Sequence, residues 1–487
     1  MDWHLAFKPP AHYAAKSGHA YSLLPFRFLE LDANRFILTN ITGEHLVLPK
    51  ETVRAFIRHQ LPMHSGAYDA LKSRHFVLDG DSSVALDLLS TKYRTKQAFL
   101  AQLTSLFMFV VTLRCEHSCR YCQVSRRSED ATAFDMSALA ADHAVELMFQ
   151  SPSRQLKVEF QGGEPLLNFP LVQHIVERVE ARNADRQRDI QFVIATNLAP
   201  LTDEHLQFCA DHGVLISTSL DGPEALHNRN RPRPGGDSHR RAIEGIRRVR
   251  EALGPDRVSA LMTTTEESLS FPREIVDEYV AQGLGSIFLR AISPYGFARR
   301  SGQANRYQTQ RWLEFFRTAL GHIIDLNQRG TPIREEYSAL LCRKILTPWA
   351  TGYVDLQSPA GIGIGALAFN YDRGIYASDE SRMLAEMGDQ GFRLGTLGQD
   401  DFESIMSSDL LLGPLLESMA EGVPMCSDCG ILPYCGSDPV GHHATRGDPV
   451  GFKPESAFCQ RNMGVVRHLI RLLEDEPEAA AVLRSWA

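Results

Sequence analysis

The sequence lacks any long apolar run and any excess of positive charge. Its most apolar stretch, residues 106–113, is far too short to span a bilayer, and the first residues contain no apolar core of a signal peptide. Lys and Arg total 51 against 59 Asp and Glu, a net charge of −8, which argues against a broad basic surface. We therefore expect a cytoplasmic protein that binds neither a membrane nor nucleic acid.

A fourth cysteine is missing from the most informative motif. Cys115, Cys119 and Cys122 follow a strand-like apolar stretch with the spacing Cys-x3-Cys-x2-Cys. Three thiolates can hold three irons of a 4Fe-4S cluster and leave one iron open to a small molecule. The alternative is a structural zinc site with His117 as fourth ligand, but so tight a loop rarely closes a tetrahedron. The spacing favours the open cluster.

A second motif, Gly162-Gly163-Glu164-Pro165, follows the cysteines by some forty residues. Glycines allow close approach of a backbone to a ligand, and a carboxylate balances an ammonium group. The two motifs together resemble those of radical SAM enzymes. The resemblance implies that S-adenosylmethionine (SAM) chelates the open iron and that the second motif meets its methionyl amine. It also implies that a 5'-deoxyadenosyl radical removes a hydrogen atom from the substrate.

Strand-length apolar runs alternate with helical patterns through the middle of the chain, as in a parallel sheet of βα units. The predicted strands are 107–113, 156–160, 191–195, 214–220, 257–263 and 286–291, and the predicted helices are 136–150, 170–185, 202–212, 238–253 and 270–282. We predict an α/β fold, a partial (β/α)6 radical SAM barrel with its site at the carboxyl ends of the strands.

Polar residues end the third and fourth predicted strands. The resemblance implies that Asn197 and Ser219 touch the ribose and the methionyl carboxylate of SAM. Their other interpretation is as ordinary turn residues at strand ends.

The C-terminal region contains a second cysteine set, Cys426, Cys429, Cys435 and Cys459. It resembles the SPASM domain of peptide-modifying radical SAM enzymes, which usually holds two auxiliary 4Fe-4S clusters. Cysteines expected for the first of these clusters are replaced here, at Ala360, at Ala377 or Ser378, and at Pro439. The resemblance therefore implies one auxiliary 4Fe-4S cluster, with structural zinc as the alternative.

Asp379 directly follows Ser378, and in some SPASM enzymes an acid at this place follows the strand cysteine. The resemblance makes Asp379 a candidate catalytic base. Otherwise it is a solvated residue at a strand exit.

We predict four domains, of which the first three are an N-terminal winged-helix-like α+β module (1–100), the partial barrel (101–300) and a helical linker (301–350). The fourth is a C-terminal SPASM-like domain (351–487). The N-terminal module has three alternating stretches followed by helix-like residues. Modules of this type in peptide-modifying enzymes add a precursor leader to a sheet edge. The alternative is a cap over the barrel.

The cysteine loop, together with the LPFRF stretch near the N-terminus, resembles the B-type radical SAM maturases of the His-Xaa-Ser system. This implies a ribosomally made precursor peptide or small protein as substrate, a second radical SAM partner, and an external electron donor such as flavodoxin or ferredoxin. Two alternatives remain: a non-catalytic scaffold that presents the precursor to a partner enzyme, and a binding module with zinc at both cysteine sets.

Overall fold

The computed structural model describes residues 20–80, 83–128, 130–302 and 308–487, so the first nineteen residues of the predicted N-terminal module lie outside the described residues. The chain divides into two compact units. The first takes the N-terminal residues up to Ala98 together with Lys344–Ala350 and Asp428–Tyr434, and the second takes the remainder. Within the described residues, no helix has both the length and the apolarity needed to cross a bilayer.

The first unit is a small α+β module. Its described elements are β1 (Ser22–Leu23), β2 (Phe26–Glu30), β3 (Arg35–Asn40), β4 (His45–Pro49), α1 (Lys50–Ile57), α2 (Gly66–Ser73), β5 (Val77–Leu78) and α3 (Val84–Lys96). Strands β2, β3 and β4 form an antiparallel sheet, and β1 pairs with β5. The side chains of Leu38, Phe56, Tyr68 and Phe76 are fully buried in its core. The predicted three strands and two following helices are confirmed.

The second unit is built on one nine-stranded sheet with the order β12-β10-β9-β8-β7-β6-β14-β15-β16. Its strands, together with the separate parallel pair β11 and β13, are β6 (Leu106–Thr112), β7 (Gln155–Gly162), β8 (Asp189–Ala195), β9 (Leu215–Ser219), β10 (Val258–Thr264), β11 (Ser286–Ile287), β12 (Leu289–Ala291), β13 (Arg334–Glu335), β14 (Ala366–Phe369), β15 (Gly374–Tyr376) and β16 (Arg393–Thr396). Strands β6 to β10 and β12 are parallel, which gives the barrel-like sheet that the sequence predicts.

The helices of the second unit surround this sheet. In the described residues they are α4 (Ala131–Phe134), α5 (Ala138–Met148), α6 (Phe169–Asn183), α7 (Asp203–Asp211), α8 (Glu224–Asn230), α9 (Ser238–Leu253), α10 (Pro272–Ala281), α11 (Gly296–Arg300), α12 (Thr309–Gln328), α13 (Glu336–Leu346, which ends in the first unit), α14 (Asp379–Ala385), α15 (Phe402–Met406), α16 (Asp409–Glu417), α17 (Pro439–Arg446), α18 (Ala457–Asp475) and α19 (Pro477–Ser485).

Five of the six predicted barrel strands are confirmed, but the sixth, 286–291, is divided at Phe288. On one side of Phe288, β11 pairs with β13, and on the other, β12 pairs with β10. The ring of Phe288 packs against Tyr337 and Tyr353, with ring centres 5.9 and 6.1 Å away. Pairing with a distant segment therefore decides where this strand breaks.

The sheet continues beyond the barrel. Strand β14, from the region predicted as a separate SPASM-like domain, pairs in parallel with β6. Phe369 of β14 packs edge-on against Phe109 of β6 with ring centres 5.2 Å apart, and both rings are fully buried. The C-terminal region is therefore continuous with the barrel sheet, and the residues of both stabilise one core.

Candidate active site

A cavity of about 230 Å³ lies where the parallel strands β6 to β10 end. Its wall brings together most of the residues that the sequence singled out: Cys115, Cys119, Cys122, Gly162, Gly163, Asn197, Ser219 and Asp379. We call this space the cysteine cavity. Two predicted residues, Glu164 and Pro165, do not line it.

Gly162 and Gly163 bring β7 against the segment that leads into the loop from Cys115 to Cys122, which we call the cysteine loop. The N–H of Gly163 donates to the Thr112 carbonyl at 2.8 Å, and the N–H of Glu164 donates to the Arg114 carbonyl at 2.8 Å. A Cβ on Gly163 would lie 2.2 Å from the Arg114 carbonyl oxygen, and one on Gly162 would lie 1.9 Å from that of Thr112. Both positions therefore need glycine because the two backbones are in contact. This reason is separate from the close approach of a ligand that the sequence analysis considered.

Glu164 is fully buried and organises the end of β8. Its carboxylate accepts from the Thr196 hydroxyl at 2.6 Å and from the Asn197 N–H at 2.7 Å. Burial and the neighbouring Glu116 carboxylate raise its pKa to about 8, against the lowering effect of these donors. In the structure Glu164 positions the Asn197 loop beside the cysteines, and its contact with a SAM amine stays a prediction.

The cysteine loop is anchored at its start by an ion pair. Arg114, the residue before Cys115, donates through Nε and Nη2 to the two carboxylate oxygens of Asp135, both at 2.7 Å. Arg114 Nη2 also donates to the Leu167 carbonyl at 2.6 Å. A bidentate pair of this kind fixes direction as well as distance, so it sets how Cys115 leaves β6.

The far part of the loop is held by a buried charge network. The Tyr121 hydroxyl donates to Asp221 Oδ2 at 2.6 Å, and Arg231 Nε donates to the same oxygen at 3.1 Å. The guanidinium lies over the Tyr121 ring at 5.4 Å from its centre. Asp221 is fully buried. Although burial lowers the pKa of Arg231, the Asp221 carboxylate raises it above its usual range, so the guanidinium stays charged.

Tyr121 and Arg231 both line the cysteine cavity, and sequence reasoning did not single them out. Tyr121 stands between Cys119 and Cys122, and that place is a signal that could have found it. Arg231 follows helix α8, and only the fold shows that it reaches the cysteines.

The thiols of Cys115 and Cys119 are protonated when they carry no metal. Burial raises the pKa of Cys119 to about 12, while the nearby Arg231 opposes that rise. Burial raises the pKa of Cys115 as well, helped by the Glu116 and Glu164 carboxylates. Such thiols are poor nucleophiles, and binding of a metal cation is what releases their protons.

Several observations test whether the cavity suits a cluster with SAM. The amide nitrogen of Asn197 lies 3.9 Å from Cys115 Sγ, as an outer hydrogen bond to a cluster sulfur ligand would require. The buried Thr218 hydroxyl on the wall has no hydrogen-bond partner among the described residues. The site therefore offers ligands and an unused polar group, and it fits a cofactor with polar atoms.

His117, the fourth ligand in the zinc alternative, lies next to the first cysteine. One ligand atom from each of Cys115, Glu116 and His117 lies within 4.8 Å of the others. His117 Nδ1 is 3.1 Å from Glu116 Oε1 and its side chain is buried. The geometry of these three residues could therefore also accept a single cation.

Asp379 lies on the cavity wall as the first residue of α14. Its Oδ1 accepts from Nη2 of the fully buried Arg382 at 2.8 Å. Arg382 also donates to the carbonyl of Val124, just after the cysteine loop, at 3.2 Å. Asp379 can therefore face a substrate while its partner braces the loop.

The C-terminal cysteines belong to both units. Cys426, Cys435 and Cys459 lie in the second unit, where the Asn462 amide donates to Cys435 Sγ at 3.5 Å. Cys429 lies in the first unit, where it forms a parallel bridge with Phe28. The auxiliary cluster remains a prediction.

The model of the family described as the Radical SAM superfamily matches residues 109–278. The serine-type anaerobic sulfatase-maturating enzyme of Klebsiella aerogenes is 26% identical over 192 residues, 39% of this chain and 46% of that protein. The chain spans between about a third and just under two thirds of the length of the curated relatives that it matches.

Two solved structures share the fold. One, anSMEcpe with bound AdoMet and the Cp18Cys peptide, has a TM-score of 0.63 at 15% identity and covers 79% of this chain and 99% of its own. The other, Streptococcus suis SuiB bound to precursor peptide SuiA, has a TM-score of 0.52 at 15% identity and covers 90% of this chain and 100% of its own. The chain therefore contains a radical SAM domain and has the fold of radical SAM enzymes.

Proposed function

We propose that this protein is a radical SAM enzyme that modifies a ribosomally made precursor peptide or small protein of the His-Xaa-Ser type. The observation that carries the proposal is the cysteine cavity, where Cys115, Cys119 and Cys122 share one wall with Gly162 and Gly163. The match of residues 109–278 to the Radical SAM superfamily supports it.

Some residues of the cysteine cavity would hold the cluster, and others set the geometry around it. The three thiolates would hold a 4Fe-4S cluster with an open iron, and Asn197 would donate to the sulfur of Cys115. The glycines set the distance between β7 and the cysteine loop. When bound, the cluster and SAM supply a 5'-deoxyadenosyl radical that abstracts hydrogen from an unactivated carbon.

Two solved structures with a similar fold contain bound peptides: SuiB with SuiA, and anSMEcpe with the Cp18Cys peptide. They support a peptide substrate for this chain. Asp379 is the proposed acceptor of a substrate proton, since it is a carboxylate on the wall of the cysteine cavity. The first unit, an α+β module with a three-stranded sheet, is proposed to bind the precursor leader by adding it as a strand.

Electron transfer would need an auxiliary cluster and an external electron donor. We assign an auxiliary 4Fe-4S cluster to Cys426, Cys429, Cys435 and Cys459, with the role of accepting an electron during product formation. An external donor such as flavodoxin or ferredoxin would reduce the first cluster, and a second radical SAM protein would act on the same precursor.

The experiment that tests the proposal measures iron, sulfide and zinc in anaerobically reconstituted protein, with release of 5'-deoxyadenosine from SAM under dithionite. We expect about eight irons in the wild type and about four after replacement of Cys115, Cys119 and Cys122 by alanine, with SAM cleavage lost. Cys209→Ala is the matched control, because Cys209 is a buried helix residue outside the cysteine cavity. Zinc without sulfide or deoxyadenosine would replace the proposal with a zinc-stabilised binding protein.

A further inference from the structure

A second cavity, of about 150 Å³, shares a wall with the cysteine cavity. Arg290 of β12 lines both spaces. The start of α14 separates them, because Ser378 and Glu380 line the second cavity while Asp379 lines the first. A substrate in the cysteine cavity therefore lies beside the second space.

Several aromatic side chains line the second cavity. They include Phe288, Tyr295, Trp312, Tyr337 and Tyr353. Two of these rings are fixed by other contacts: the Tyr337 hydroxyl donates to Asn462 Oδ1, and the Trp312 ring packs against Phe316 with centres 5.0 Å apart. A cavity of this size lined by apolar groups holds one benzene-sized ring. The space therefore suits a single planar group between aromatic faces.

The charged residues on these walls are unequal in sign. Asp355, Glu380 and Asp438 face Arg290 and Arg461, so carboxylates outnumber guanidinium groups by three to two. The Asp438 carboxylate already has partners within the protein. It accepts from the Gly441 N–H at 2.9 Å at the start of α17, and it lies near Arg461.

The carboxyl groups without a guanidinium each are those of Asp355 and Glu380. The Nη2 of Arg290 is 3.7 Å from Glu380 Oε1, and the same guanidinium is the cation that acts on Asp355. Burial, and then repulsion by Asp355 and Asp379, raise the pKa of Glu380 to about 7. Burial likewise raises the pKa of Asp355. Two buried carboxylates that share one cation are stabilised by a further cation with N–H donors.

We propose that the second cavity, which we call the carboxylate cavity, binds a planar basic side chain of the substrate, an imidazolium or a guanidinium. The inference rests on the proposed function in taking the substrate to be a peptide. The N–H groups of the guest donate to Asp355 and Glu380, and its flat faces lie against the aromatic walls. The residue held there sets which neighbouring carbon enters the cysteine cavity, so the carboxylate cavity determines specificity.

The test uses the full-length, cluster-loaded protein labelled with 5-fluorotryptophan. Trp312 lies on the wall of the carboxylate cavity and is 2% exposed, whereas the partly exposed Trp486 serves as an internal reference. Methylguanidinium, imidazole at pH 6 and neutral toluene are titrated in turn, and the ¹⁹F resonance of Trp312 is followed. We expect both basic probes to shift this resonance with saturation and to bind at least about ten-fold more tightly than toluene.

Carboxylate variants identify the groups responsible. Asp355→Asn and Glu380→Gln should each weaken methylguanidinium binding about ten-fold, the loss expected for one hydrogen bond to a charged group. Asp256→Asn, at an exposed position away from both cavities, is the control and should leave it unchanged. If a variant fails to load iron, the comparison of probes on the wild type still decides the inference. Toluene binding as tightly as both cations, or no probe shifting Trp312, would overturn it.

SAM cleavage on the same preparation keeps this inference separate from the proposed function. Wild-type protein that releases 5'-deoxyadenosine but binds neither basic probe would refute the carboxylate cavity and leave the radical chemistry standing. Protein that binds both cations but does not cleave SAM would refute the proposed function and leave the binding site.

Discussion

The cysteine cavity and the carboxylate cavity lie side by side but are built in different ways. The first takes its key groups from one loop, Cys115 to Cys122, and from the ends of successive parallel strands. The second takes its charged residues from four distant places in the chain, around residues 290, 355, 380 and 438, with Arg461 added by α18. A cofactor site of this type leaves a contiguous motif in the sequence. A substrate pocket assembled from distant segments leaves none.

The two cavities also differ in how charge is balanced. Beside the cysteine cavity, the buried Asp221 has its own guanidinium, Arg231, and a hydroxyl donor, Tyr121. In the carboxylate cavity, Asp355 accepts from the Tyr353 hydroxyl, but it shares the guanidinium of Arg290 with Glu380. The first arrangement is complete and holds a loop still. The second gains stability when a guest brings a positive charge.

The largest effect that separates the cavities should come from Asp221→Ala. The substitution leaves the guanidinium of Arg231 buried beside Cys119 without its carboxylate, which costs about 3–5 kcal/mol of unfolding free energy. Thermal unfolding of the iron-free protein, followed by tryptophan fluorescence, measures it. Glu251→Ala removes a surface carboxylate that pairs with Arg247 and serves as the control. Equal changes for the two variants would show that the buried network does not hold the loop.

Gly163→Ala should disturb the cysteine cavity alone. The new methyl group would meet the Arg114 carbonyl, so β7 and the cysteine loop must move apart. We expect about 2–3 kcal/mol of destabilisation and loss of the iron bound by the triplet, measured by iron analysis. Gly321→Ala in helix α12 has nothing within 4 Å of the new methyl group, and it should raise stability by about 0.5–1 kcal/mol. Full iron content in Gly163→Ala would argue against the close approach as a requirement.

Glu380→Gln should change how the free energy of unfolding depends on pH. The folded pKa of Glu380, about 7, lies above its unfolded value, so its contribution to stability is full below the unfolded pKa and is lost as pH rises through 7. Asp355, Asp379 and Arg290 face this carboxyl, and all act on it.

We therefore expect Glu380→Gln to exceed the wild type in unfolding free energy by about 1–2 kcal/mol at pH 8. The difference should shrink towards pH 5. Urea unfolding at the two pH values measures this, and a difference that does not change with pH would contradict the shared-cation description.

Tyr121→Phe should have the smallest effect. It removes one hydrogen bond to Asp221 but keeps the ring under Arg231, and we expect a loss of about 1 kcal/mol with iron still bound. Urea unfolding and iron analysis check this. Loss of the cluster in this variant would mean that the hydroxyl, rather than the ion pair, holds the loop.

Much of the fold could be predicted because its signals are local. The strands from Leu106 to Thr264 are short apolar runs, and their periodicity marks them without knowledge of their partners. The break of the sixth predicted strand at Phe288 and the addition of β14 to β6 could not be predicted, because pairing with distant residues decides both. Local pattern does not contain such information.

The same distinction holds at the site. The cysteines and Gly162-Gly163 were recognisable by spacing, and they do line one cavity. The buried position of Glu164, with its carboxylate turned to Thr196 and Asn197, depends on a neighbouring strand end. Arg231 and Arg290 carry no motif, and only the folded chain brings their charges to the cavity walls.

The central claim is that Cys115, Cys119 and Cys122 hold an iron-sulfur cluster with an iron open to SAM. Electron–nuclear double resonance of the dithionite-reduced protein with SAM labelled with ¹⁵N at its amino group tests this directly. The account predicts a ¹⁵N coupling to the reduced cluster that is present in the wild type and in Cys209→Ala and absent in the triple alanine variant. A cluster signal without ¹⁵N coupling in the wild type, or a coupling that survives the triple substitution, would contradict it.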